Sequence, residues 1–173
     1  MKRTSFLIFV LAFLTFSIYA KGPANKATGS ILRGVDTPNF IVEFTAHESV
    51  AMKNGKTRPA KGMVTAYHLT NSDSYWAVDV ECVNVISETD AVFAGSIVLS
   101  GSRWSQFVGD YMKFWVYDGG EPGAFTDKIY TEKIPDDPDE TEMAMEFCEN
   151  PYHLNKDWNV FEGNIQVHYR DID

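Results

Sequence analysis

An all-β domain of about eight strands, closed into an antiparallel barrel or folded as a two-sheet sandwich, is the architecture the sequence predicts. Three observations predict it. Apolar and polar residues alternate along a series of short runs, the period of a half-buried strand. Turn chemistry separates the runs, as at Asn54-Gly55 and in "TNSDS" at 70–74. Only one stretch of the chain carries a helical period instead. Closure or stacking is required because open edges invite aggregation, and of the two a barrel is preferred over a sandwich.

The elements follow in order. Lys2 and Arg3 precede the apolar run "FLIFVLAFLTFSIYA", which ends at Ala20 before polar "KGPANK". That pattern reads as a cleaved secretory signal peptide over residues 1–20. A retained anchor is the alternative, but a full span needs about 20 apolar residues and the run is shorter. The expectation is a secreted or periplasmic protein with no membrane span in the mature chain. Residues 21–30 read as a flexible lead-in, and 31–173 as a single β domain. In "NFIVEFTAHE", Phe40, Val42, Phe44 and Ala46 share one face, while Glu43, Thr45 and His47 share the other. The basic, turn-rich "KNGKTRPAKG" leads to the strand "MVTAYHL". "YWAVDVECVNVI" alternates most clearly, with Trp76, Val78, Val80 and Cys82 expected on the buried face. "AVFAGSIVLS", "DYMKFWVY" and "FTDKIYTEKI" follow, and the chain closes on "NVFEGNIQVHY".

The helical stretch is the acidic insert "DDPDETEMAMEFCENP". Asp137 can cap it, Pro138 suits the first turn, and Asn150-Pro151 stops it. Met143 and Phe147, with Ala144 and Cys148, would face inward; Glu142, Glu146 and Glu149 would face out. A strand reading also fits "MAMEF". In an oxidising compartment Cys82 and Cys148 suggest one disulfide, which on the helical reading fastens the insert to a strand. Two separately buried thiols are the alternative.

Removing residues 1–20 takes the net charge from −9 to −11. A phosphate backbone would be repelled, so nucleic acid is not expected as a partner. The composition leaves the oligomeric state open.

The turn "DGGEPG" (118–123), the strand "GNIQVH" (163–168) and the early "TGSI" resemble uncharacterised small secreted bacterial β-rich proteins. Their pattern has an Asp-x-Gly-Glu-Pro-Gly turn and ends on a Gly-Asn-Ile-x-Val-His strand. The similarity covers about residues 28–169; the acidic insert and the final "YRDID" depart from it. It implies export and a β fold, and carries no activity.

Candidate sites are few. Asp118, Glu121 and Asp127 could converge as hard oxygen ligands for calcium, the one cofactor the sequence suggests. The alternative is that such carboxylates accept backbone N–H bonds and brace the turn. Tyr111, Trp115 and Tyr117 line one face of "YMKFWVY" and could stack on a flat ligand, unless a neighbouring element covers them. His47, His68, His153 and His168 show no metal-ligand spacing, and no nucleophile elbow or phosphate loop occurs. The expected function is therefore a binding or surface-interaction module for an unknown ligand or surface partner. A small hydrolase or isomerase working in a polar barrel lumen around His168 or His68 is one alternative. A purely structural extracellular protein is the other.

Overall fold

The computed structural model describes residues 25–34, 39–51, 55, 57–120, 126–154 and 157–169. The signal-peptide reading, Glu121 and most of the "YRDID" tail lie outside the described residues. The strands are β1 (Lys26–Gly34), β2 (Phe40–His47), β3 (Val50–Ala51), β4 (Thr57–Arg58) and β5 (Lys61–His68). They continue with β6 (Tyr75–Val85), β7 (Asp90–Ser100), β8 (Tyr111–Tyr117), β9 (Lys128–Lys133) and β10 (Asp157–His168). A 3-10 helix spans Ser102–Phe107, and the helix α1 spans Glu140–Glu149.

Eight strands form a closed antiparallel barrel in the order β1-β10-β9-β8-β7-β6-β5-β2, and β3 and β4 make a separate two-stranded ribbon. β5 to β9 meander. β1 lies between β10 and β2 and pairs with both, which closes the ring. Residues 26–30, expected to belong to a flexible lead-in, are instead the first half of β1. Their small polar side chains carry little strand signal, and pairing on both sides holds them extended.

The lumen is filled by alternate side chains, as the period predicts. Phe44, Phe93, Phe114 and Trp76 cross it as a column of rings with centroids 5.4, 5.1 and 6.1 Å apart. Gly29 gives Phe44 its place: a Cβ there would sit 2.4 Å from Phe44 Cε1. Gly29→Ala should therefore cost about 1–3 kcal/mol through displacement of the ring, measured as a lower urea midpoint.

Cys82 departs from its expected place. The β6–β7 register shifts between Val80 and Cys82, so Glu81 is a bulge and the phase of β6 inverts after it. Trp76, Val78 and Val80 face the lumen, as do Val83 and Val85, whereas Cys82 faces the outside. There it is joined to Cys148 of α1, the disulfide the sequence suggested. Ala144, Phe147 and Cys148 are the buried side of α1, as its helical period required. With Val92, Ala94, Ile134 and Leu154 they form a second core on the outer wall. The helix starts at Glu140, because Asp137 accepts the N–H of Asp139 and holds a turn before it.

Candidate functional site

The column of rings leaves one mouth of the barrel partly open. This is the mouth where β1, β5, β7 and β9 end, and the 3-10 helix lies beside it. A cavity of about 200 Å³ sits there. Phe40 from β2, Trp76 from β6, Ile97 from β7 and Met112 from β8 make its apolar wall, and Trp104 and Phe107 of the 3-10 helix cover it. The cover is held in place: Trp104 donates from Nε1 to Ser74 Oγ at 3.1 Å, and its ring lies 5.8 Å from that of Phe107.

Three polar side chains also line the cavity: Arg33, Thr131 and Lys133. Arg33 is 4% exposed. Burial pushes its guanidinium down to about 10, so it is still a cation at neutral pH. Lys133 pairs with Asp110 and lies over the Phe107 ring at 5.1 Å. Both cations are donors without acceptor capacity. The site therefore offers an apolar slot with donors on one side. An apolar cavity of about 150 Å³ suffices for benzene, so this one suits a molecule of about one ring.

The sequence-predicted sites lie elsewhere. Tyr111 and Trp115 are on the outer wall, packed against the core that α1 covers. Tyr111 donates to Glu81 Oε2 at 3.0 Å, and Trp115 Nε1 donates to Asp90 Oδ1 at 2.9 Å. Burial first, then the Glu81 carboxylate, pushes the Tyr111 phenol above its usual range. His153 lies tilted against Trp115 at 5.4 Å and meets Tyr130 edge-on at 4.8 Å. Tyr117 is half-buried at the end of the same strand. The insert is the covering element that the sequence left open as an alternative to a ligand platform.

Asp118 and Asp127 do come together, and their oxygens face backbone donors. Asp127 Oδ1 accepts from Gly119 N at 2.8 Å, and Oδ2 from Ile165 N at 2.7 Å. Asp118 Oδ1 accepts from Gly120 N at 2.9 Å, and Oδ2 from Val167 N at 3.1 Å. The reason lies in the barrel seam. β9 and β10 pair only from Asp157 to Asn159, and beyond that the two carboxylates accept the N–H groups of Ile165 and Val167 as strand carbonyls would. Among the described residues, no group of three or more His, Cys, Asp or Glu could hold a metal ion.

The polar lumen expected around His168 is not there. His168 and Gln166 are exposed, and Ile165 and Val167 supply the lumen side of β10. His68 sits at the cavity mouth, edge-on to Phe40 at 4.9 Å, with Nδ1 accepting from Thr70 N at 3.2 Å. Trp104 and Phe107 were missed by sequence reasoning. They stand in "GSRWSQF", which follows neither period; two large aromatics in a turn-like stretch were the only signal.

Compared with protein-family models, curated proteins and solved structures, the chain matches none. No helix among the described residues is long and apolar enough to cross a membrane.

Proposed function

We propose that the protein is a binding module whose ligand is small, flat and apolar, with a hydrogen-bond acceptor at one end. An aromatic carboxylate is the simplest such molecule. The single observation that carries this reading is the 200 Å³ cavity at the barrel mouth, apolar on most sides and bordered by Arg33, Thr131 and Lys133. Binding sites favour concave apolar surfaces with a few polar groups that fix orientation, and barrel mouths are a usual place for them. Export to the periplasm or beyond belongs to the same proposal. It is supported by the leader-like first twenty residues and by the disulfide, which persists in oxidising compartments.

The test is a fluorescence titration with benzoate, toluene and cyclohexane, because Trp76 and Trp104 line the cavity. Benzoate is expected to bind most tightly, toluene more weakly, and Met112→Trp, which fills the cavity, should abolish both. If none of the three binds, or the filled variant binds as well as the parent, the reading fails. A structural or interaction role then takes its place. That second reading draws its support from the packed column of rings and the covered Tyr111 and Trp115.

A further inference from the structure

Resting on the cavity as a binding site, we infer that its ligand is a hydroxylated aromatic acid, selected by Thr131. Thr131 stands on β9 between Ile129 and Lys133 and pairs with Phe114 of β8. Ile129 and Phe114 belong to the lumen core, so alternation turns Thr131 to the same side, where it lines the cavity. It is 5% exposed, yet its hydroxyl has no hydrogen-bond partner among the described residues. A buried hydroxyl without a partner costs free energy, and most are satisfied by protein, water or ligand.

The other polar side chains at the cavity cannot do what Thr131 can. Arg33 and Lys133 only donate, and the indole N–H of Trp104 is engaged with Ser74 Oγ. Among the side chains that line the cavity, the Thr131 hydroxyl is the one oxygen; the Met112 thioether is a weak acceptor. A ligand carboxylate finds its donors in the cations. A ligand O–H finds its acceptor in Thr131.

Register sets the two groups apart. Lys133 pairs with Met112 at the mouth, whereas Thr131 pairs with Phe114, the ring next to Trp76 in the lumen column. Two residues along a strand cover about 7 Å, close to the span from a carboxylate to a hydroxyl across one benzene ring. The hydroxyl therefore belongs on the far side of the ring, meta or para to the carboxylate. An ortho hydroxyl would stay beside the carboxylate at the mouth and leave Thr131 unmet.

Calorimetric titration of the full chain with benzoate, para-methylbenzoate and ortho-, meta- and para-hydroxybenzoate tests the selection. The meta or para hydroxy acid should bind about fivefold or more tightly than para-methylbenzoate, which fills similar space without the O–H. The ortho isomer should show no such gain. Thr131→Val should bring the hydroxy and methyl acids to within about twofold of each other. Its melting temperature should be no lower than the parent's, because the substitution removes an unpaired hydroxyl. Thr131→Ser, which keeps the hydroxyl, should keep the preference. Benzoate binding without a preference for a meta or para hydroxyl would overturn this inference alone and leave the cavity a ligand site. A preference that survives Thr131→Val, an equal gain for the ortho isomer, or a lower melting temperature for Thr131→Val would overturn it too. If none of the acids binds, the reading of the cavity fails and the selection by Thr131 fails with it.

Discussion

Asp127→Ala is expected to lower the unfolding free energy by about 3–5 kcal/mol, read from urea denaturation. Asp127 is 3% exposed and accepts two backbone N–H bonds, one from Gly119 in its own turn and one from Ile165 on β10. A bond to a charged acceptor contributes about 1.5–3 kcal/mol, and its loss also strands a donor. The stranded donor here is the N–H of Ile165, a residue fully buried in the lumen core. Asp127→Asn isolates the physical cause. Its single carbonyl can satisfy one of the two donors, while its NH₂ opposes the other, so about half of the loss or more should remain. A loss below about 1 kcal/mol for the alanine variant would mean that the seam closes without the carboxylate. The same geometry predicts that neither calcium nor EDTA shifts the melting temperature.

Breaking the Cys82–Cys148 link is the second large effect. The two cysteines stand 66 positions apart. For a loop of that length the chain-entropy account gives roughly 4 kcal/mol. Cys82→Ala/Cys148→Ala, or reduction with dithiothreitol, should therefore lower the urea midpoint by a corresponding amount. The location of the damage is also predictable. α1 has ten residues, too few for an isolated helix to persist in water. Its remaining holds include the packing of Met143, Ala144 and Phe147, the bond from Asn84 Nδ2 to Cys148 O at 2.8 Å and that from Tyr111 N to Glu140 Oε2 at 3.4 Å. Limited proteolysis should thus cut first between Ile134 and Leu154, while β5 to β9 stay protected. An unchanged midpoint, with the insert as resistant as before, would show that the packing alone suffices.

Much of the barrel was legible in the sequence because apolar lumen residues recur at every second position of the wall strands. β2, β5 and β8 follow the period without interruption, and so their lumen residues could be read directly. β6 could be read only as far as Val80. The bulge at Glu81 depends on the geometry of β7 opposite it, and nothing in "VDVECVNV" announces an extra residue. β1 was hidden for another reason: "KATGSI" has weak strand propensity, and its conformation comes from partners that arrive later in the chain. Of the candidate sites, the turn containing Asp118 and Asp127 was visible as a cluster of carboxylates and glycines. Its task was not, because Ile165 lies 38 positions beyond Asp127. The cavity was hidden altogether, since its cover comes from a stretch without periodicity.

The inversion after Glu81 splits the protein into two apolar compartments that share one sheet and no side chains. The buried side chains between Ile134 and Leu154 belong to the exterior compartment. Because no side chain of that segment lines the hollow at the far mouth, replacing it is expected to leave the dimensions of the hollow unchanged. The cystine is the rivet that such a replacement must preserve.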